Sequence, residues 1–173
     1  MELKQFNKCV KFQLPNGKVV DILSPVLDEI FKWIQDDVEK PESGGFIVGY
    51  THENSGNISL EAVSTPAPLD KKSRFFFAIR DPLHKVFLKK VQRRKSYYMG
   101  VWHTHPQQDP TPSDIDWKDW RETMKLDKTG SDFVFFIIAG IDKWRIWIGD
   151  YSTNSIVEGI ECLKDEDGIY DCR

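Results

Sequence analysis

Two histidines one residue apart, His103 and His105, precede Ser113 and Asp116 in the run His103-Thr104-His105-Pro106-Gln107-Gln108-Asp109-Pro110-Thr111-Pro112-Ser113-Asp114-Ile115-Asp116. On a strand the two imidazoles share a face, because side chains alternate with period 2. Ser113 and Asp116, three apart at the start of a helix, share a face as well. Two neutral imidazoles and a carboxylate make a three-ligand set for zinc and leave the fourth tetrahedral position to water. Upstream, Pro41-Glu42-Ser43-Gly44-Gly45 carries a lone carboxylate ahead of a Gly-Gly pair. Zinc lowers the pKa of its water to about 7, and a carboxylate within hydrogen-bond reach is the proton shuttle that amide hydrolysis needs.

Taken singly, these residues have bland explanations. Two histidines on a strand are more often a satisfied or solvent-facing pair than metal ligands. An aspartate in a first helical turn is accounted for by the helix dipole. Ser113 alone is a helix-start residue, and Glu42 alone a surface charge. Jointly they are four chemically needed residue types at fixed spacing. Gly44 and Gly45 permit close backbone approach, which suits a peptide lying against the strand.

The elements that must position these side chains can be read from turns and periodicity. Val10–Leu14 and Val19–Leu23 flank Pro15-Asn16-Gly17-Lys18, a hairpin signal. Ser24-Pro25 reads as N-cap and N1 of an amphipathic helix that runs to about Asp37. Strands follow at Gly44–Tyr50 and Ile58–Val63, then a loop at Thr65–Pro68 and an extended segment at Phe75–Ile79. Pro82 to Arg94 is helical, with Leu83, Val86, Phe87, Lys90 and Val91 on one side and His84 on the surface. On the strand from Tyr97 to His105, Met99, Val101, His103 and His105 fall on one face. Thr111 caps the next helix with Pro112 at N1, and that helix ends near Gly130. Phe133–Ala139 is nearly continuously apolar and so central. Trp144–Ile148 pairs with it across a turn, and Ser155–Cys162 forms a further strand. The pairs Trp117/Trp120 and Trp144/Trp147 read as core and rim packing. Asp109 and Asp114 read as loop and capping residues, and His52 as solvated in a turn.

Composition excludes several classes. The 173 residues suit one domain, long enough to bury about 70% of the surface its unfolded chain exposes. A net charge of −3 argues against a nucleic-acid surface. The basic cluster from Lys85 to Lys95 reads as a solvated helix face. No apolar run is long enough to span a membrane, and Met1–Asn7 lacks the apolar core of a signal peptide, so the expected place is the cytoplasm. Cys9, Cys162 and Cys172 are an odd number without C-x-x-C spacing, and no structural disulfide is expected.

The spacing H-x-H-x(7)-S-x-x-D, together with the upstream glutamate, resembles the JAB1/MPN/Mov34 (JAMM) metalloenzyme family. The order of elements extends the resemblance over about residues 24 to 150. It implies an α+β fold of the JAB/MPN type, a curved and largely antiparallel mixed sheet flanked by helices. A single domain spanning 1–173 is expected, with a core at about 24–150, an N-terminal hairpin at 9–23 and a C-terminal extension at 151–173. By the same resemblance His103, His105 and Asp116 would hold Zn2+. Glu42 would act as general base toward the water and pass its proton to the leaving amine. Ser113 would donate to the carbonyl oxygen as it becomes an oxyanion.

The implied activity is that of an isopeptidase removing ubiquitin or ubiquitin-like tails from lysines. Glu42-Ser43-Gly44-Gly45-Phe46 and Trp102-His103-Thr104-His105-Pro106 are similar to the stand-alone prokaryotic members. Among those, the JAB peptidase of bacterial CBASS anti-phage systems is the suggested type. Its partners would be a protein with an extended C-terminal tail or an isopeptide conjugate, E1- and E2-like conjugation enzymes, and a cGAS-like nucleotidyltransferase. Thr65–Phe77 and the Pro106–Pro112 loop would form the groove walls for such a tail, held by strand addition. A protease of sulfur-carrier tails remains an alternative, since the tail chemistry is the same. A peptidoglycan peptidase, a DNA-associated role like that of RadC-type relatives and a non-catalytic MPN scaffold fit less well: the charge is acidic, and scaffolds usually lack the ligands.

Overall fold

A computed structural model describes residues 10–164 and 170–171. The expected hairpin forms: β1 (Val10–Gln13) pairs antiparallel with β2 (Val19–Ile22). Helix α1 (Ser24–Phe31) follows, then β3 (Gly44–Thr51) and β4 (Ile58–Val63). A small hairpin of β5 (Lys71–Ser73) and β6 (Phe76–Ala78) precedes α2 (Leu83–Gln92) and β7 (Tyr97–Thr104). Helix α3 (Asp114–Leu126), β8 (Phe133–Ala139), β9 (Trp144–Asp150) and β10 (Ser155–Glu158) complete the main body, with β11 (Leu163–Lys164) pairing β12 (Tyr170–Asp171) beyond it.

Eight strands make one sheet in the order β1-β2-β4-β3-β7-β8-β9-β10. Only β2/β4 and β7/β8 are parallel among its pairs. This is the α+β architecture with a mostly antiparallel mixed sheet that the resemblance implied. All seven positions of β8 are buried, as its unbroken apolar run requires. Phe135 and Ile137 face a core shared with α1, and Val134, Phe136 and Ile138 face a second one under Trp120 and Met124 of α3. Trp120 and Trp147 sit inside that second core, with Trp117 at its edge. Trp144 packs at the edge of the first.

Several local readings change. Helix α1 ends at Phe31 instead of near Asp37, and Leu23, not Ser24, stands at its N-cap, where its own N–H is taken by the Leu60 carbonyl. Trp33 and Ile34 still pack on the core, from a non-helical segment. On β7, Met99 and Val101 lie on opposite sides: Met99 joins the α1 core, while Val101 packs toward α3. The register shift between Ile47 and Val48 in the β3/β7 pairing inserts the extra residue that breaks strict alternation. The expected strand from Ser155 to Cys162 divides. Its first half pairs β9, and then Glu161 bridges Phe12 while the Cys162 N–H donates to the Lys11 carbonyl. The sheet thereby curls until its two ends meet, which covers the β1 edge.

Cys162 is buried and disulfide-bonded, contrary to expectation; Cys9 and Cys172 lie outside the described residues. Among the described residues, no helix is long and apolar enough to cross a membrane.

Gly100 stands at the bulge, and a Cβ there would overlap the Phe135 carbonyl of the parallel neighbour β8. Overpacking of that kind costs about 1–3 kcal/mol or more, and a domain of this size loses about 2–4 °C in Tm per kcal/mol. Gly100→Ala should therefore lower Tm by several degrees in a thermal melt. An unchanged Tm would show that the two strands are free to part.

Candidate active site

His103 lies near the end of β7, and His105 follows just past it, where its N–H donates to the Ala139 carbonyl at 3.0 Å and prolongs the pairing with β8. The alternation expected of the pair holds: the two Nε2 atoms are 3.0 Å apart. Asp116 closes a triangle, with Oδ1 3.1 Å from His103 Nε2 and Oδ2 3.2 Å from His105 Nε2. Two ring nitrogens aimed at each other beside a carboxylate are a donor set for a shared cation. A tetrahedron with zinc–ligand bonds of about 2.0–2.1 Å has edges of roughly 3.3 Å; the two Nε2 atoms stand near that separation, and Asp116 turns one oxygen to each of them. The residues fit the metal in type and in spacing.

Asp116 is placed by the start of α3. The cap there is Ser113, two residues later than Thr111. Ser113 Oγ accepts the Asp116 N–H at 3.1 Å, and Asp116 Oδ2 accepts the Ser113 N–H at 2.7 Å, a reciprocal capping box. One bond pair thus starts the helix and aims the carboxylate at the histidines. Because Ser113 Oγ accepts in that box, its own proton remains free to be donated. The His105 ring is held on its far side, with Nδ1 3.1 Å from Gln107 Oε1. An amide oxygen there requires Nδ1 to carry a proton, so a metal bound at Nε2 would displace the proton shared with Asp116 and take that lone pair.

Glu42 is buried, and its carboxylate stands 3.8 Å from His105 Nε2, beside the triangle and outside it. Burial pushes its pKa up to about 8; His105 pulls it down and Asp116 adds to the rise. Burial would also raise the Asp116 carboxyl, but hydrogen bonds from His103 and His105 hold it well below the usual range. For His105, burial works against the charged ring, yet the hydrogen bond and charge of Asp116 keep its pKa above the ordinary value.

The glycines after Glu42 do allow close approach, but to the protein itself. A Cβ on Gly44 would lie 2.6 Å from Phe77 Cδ1, and one on Gly45 would overlap the Ser64 carbonyl.

A groove of about 660 Å³ passes over Glu42, His103, Ser113 and Asp116. One wall is β6 with the hairpin turn before it and its continuation to Asp81, so only Phe75–Phe77 of the expected Thr65–Phe77 wall lines the groove. The other wall is α3, through Ile115, Asp119, Glu122 and Leu126, and not the Pro106–Pro112 loop. That loop is tied away to the β8–β9 turn. The Gln107 and Gln108 carbonyls accept N–H groups from Ile141, Asp142 and Lys143, and Arg145 grips Asp109 with two bonds of 2.7 Å. Asp109 is therefore a clamp residue, more than a loop-solubility one. Exposed apolar side chains stand on both lips: Phe75 is 70% exposed and Leu126 72%.

His84 is the residue most misread from sequence: it is fully buried at 1% exposure. Its Nε2 lies 2.7 Å from Asp70 Oδ2 and its Nδ1 2.7 Å from Ser64 Oγ. This Ser–His–Asp connectivity is no nucleophile, since Ser64 is buried and its Oγ accepts the Phe46 N–H. Asp70 also accepts N–H groups from Ala67, Arg80 and Asp81, so one carboxylate pins both ends of the segment bearing the hairpin. Burial tends to raise the Asp70 carboxyl, but these bonds hold it below its ordinary value. A signal existed: His84, Phe87, Leu88 and Val91 recur at i, i+3, i+4 and i+7, the inward stripe of α2. His52 is half-buried in its turn and bonds Ser59 Oγ at 2.8 Å.

Residues 23–148 match the family model described as prokaryotic homologs of the JAB domain, and the chain belongs to that family. Three relatives carry the name CD-NTase/cGAS isopeptidase. The Escherichia coli (strain TW11681) protein is 28% identical over 79% of this chain and 85% of its own. The Pseudomonas aeruginosa (strain BWHPSA011 / Pa011) protein is 26% identical over 61% and 67%. The Vibrio cholerae (serotype O1, strain ATCC 39315 / El Tor Inaba N16961) protein is 26% identical over 73% and 80%. The solution structure of protein DSY2949 from Desulfitobacterium hafniense shares the fold, with a TM-score of 0.52 at 16% identity over 79% of this chain and 87% of that one.

The raised Glu42 pKa has a consequence for stability. Between its ordinary 4.5 and about 8 the folded chain holds a proton that the unfolded chain has released. That contribution is full below pH 4.5 and is lost as pH rises through 8. In chelator-treated protein, Glu42→Gln should raise Tm at pH 8.5 and leave it nearly unchanged at pH 4.5, each kcal/mol relieved being worth about 2–4 °C. Equal shifts at both pH values in calorimetry would mean that Glu42 does not carry this proton.

Proposed function

We propose that the chain is a zinc-dependent isopeptidase. It would hydrolyse the amide that joins the C-terminus of a ubiquitin-like, or analogously conjugated, protein to a lysine. The observation that supports this best is the convergence of His103, His105 and Asp116, whose ligand atoms lie within 4.8 Å of one another, with a buried carboxylate beside them and a groove leading to them. The relatives' name, CD-NTase/cGAS isopeptidase, supports a conjugate of a cGAS-like nucleotidyltransferase as the substrate; the family resemblance adds E1- and E2-like enzymes that would form it, in bacterial anti-phage defence of the CBASS type.

Zinc bound by His103, His105 and Asp116 would supply Lewis acidity, polarising the scissile carbonyl and acidifying a water. Glu42 takes a proton from that water as its oxygen attacks the carbonyl carbon. A divalent cation beside Glu42 would favour its ionised form over the protonated one that burial favours, which is what a proton acceptor needs. As the C–N bond breaks, Glu42 gives the proton to the leaving lysine amine. Ser113 donates its free hydroxyl proton to the carbonyl oxygen while negative charge builds there. The acyl tail lies extended along the groove, where the outer edge of β6 offers backbone groups for strand addition. Apolar tail side chains meet Phe75 and Phe76 on one side and Ile115 and Leu126 on the other.

Glu42→Gln should abolish cleavage of an isopeptide-linked conjugate while retaining about one zinc per chain by elemental analysis, and His105→Ala should lose the metal too. Ser113→Ala should lower kcat by roughly 10²–10³-fold. Appreciable turnover by Glu42→Gln, or zinc retained without His105, would sink the assignment.

The groove gives a separate kinetic signature. Phe76→Ala should raise KM for the tailed substrate more than it lowers kcat, because it removes binding common to ground and transition states. Equal losses in kcat and kcat/KM, measured by steady-state assay, would instead give Phe76 a role at the reacting bond.

A further inference from the structure

Gln35 lies in the non-helical segment between α1 and β3, and it is 2% exposed. Its side-chain Nε2 donates to two carbonyls, those of Lys40 at 3.2 Å and Arg74 at 2.9 Å. Its Oε1 accepts the Thr104 hydroxyl at 3.0 Å. Thr104 Oγ1 in turn accepts the Ser43 N–H at 3.0 Å. Thr104 is fully buried and stands between His103 and His105. Ser43 adjoins Glu42, Lys40 lies two residues before it, and Arg74 is at the tip of the β5–β6 hairpin. Two backbone bonds run alongside, Thr104 N–H to Ser43 O at 2.9 Å and Glu42 N–H to Ser73 O at 2.8 Å.

One amide thus touches the three separately encoded parts of the site: the strand of the histidines, the segment of the glutamate and the hairpin wall of the groove. We infer that Gln35 is a positioning residue, which sets these parts relative to one another and acts on the reaction through them. The inference rests on the hydrolytic reading of the site. The chemistry of the contacts selects glutamine. Two carbonyls need two N–H donors, and a hydroxyl whose own oxygen is taken by Ser43 needs an acceptor. An amide offers both. Glutamate would lose the donors and set a carboxylate against two carbonyl oxygens. A methionine would keep the shape and make none of these bonds.

The test uses the full chain and three variants, Gln35→Met, Thr104→Val and Thr104→Ser. Zinc content, site-resolved amide hydrogen exchange and steady-state kinetics on an isopeptide-linked conjugate are read for each. In Gln35→Met and Thr104→Val the amides of Glu42 and Ser43 and the 71–78 segment should exchange faster, by roughly tenfold or more, while β8 and β9 stay as protected as in wild type. Zinc should be retained, kcat should fall by roughly 10–100-fold and KM should rise, because a small misplacement of base and wall acts on both. Thr104→Ser keeps the hydroxyl and should restore most of the rate and the protection. Unchanged exchange at Glu42 and Ser43, or a uniform loss that includes β8 and β9, would overturn the inference. If Gln35→Met does not fold, the contrast between valine and serine at Thr104 decides. Selective exchange in a chain that cleaves no conjugate even as wild type would support the coupling of the three parts and overturn only the hydrolytic reading.

Discussion

The parallel pairing of β7 with β8 is the constraint on which the rest of the site depends. Two parallel neighbours cannot be joined by a tight turn; the chain must leave the sheet and cross back over it. Here that crossover is α3, packed through Trp120 and Met124 on the outer face of β8. It begins beside the end of the strand it has just left. The start of the helix, with Ser113 and Asp116, is thereby brought back onto His103 and His105. A hairpin in its place would have left the two histidines without their carboxylate.

Around that crossover, polar groups fix what apolar packing leaves loose. The Ser113–Asp116 capping box orients a side chain while it starts a helix. Arg145 holds Asp109 and draws the loop after His105 away from the groove, which leaves α3 as the second wall. On the opposite side, Asp70 and His84 pin the base of the β5–β6 hairpin, and Gln35 reaches its tip. Burying such groups is costly unless each is satisfied. Here each has partners, and their directionality serves to place the groove walls, which core packing alone would not orient.

Much of this was legible in the chain. The H-x-H pair, the serine and aspartate spacing and the apolar run of β8 depend on local periodicity, and the element order followed from turn residues. What failed had tertiary causes. Strict alternation along β7 was broken by a bulge against β3, so Met99 and Val101 part. Helix α1 stops at Phe31, before Gln35, whose partners include the distant Arg74 and Thr104. The burial of His84 is marked by the helical stripe it shares with Phe87, Leu88 and Val91, but its partners Asp70 and Ser64 lie fourteen and twenty residues away and no local pattern names them. The disulfide at Cys162 was likewise invisible to spacing.

By itself the sequence determined the types and spacing of the candidate ligands and the burial of the apolar run in β8, because these depend on residues within a few positions of one another. Only the tertiary structure decided that Glu42 stands beside the triangle and not in it, that its surroundings raise its pKa, and that α3 lines the groove while the 106–112 loop does not. Those properties are set by distances between residues tens of positions apart and by burial, which exist only once the sheet has curled and its elements have packed.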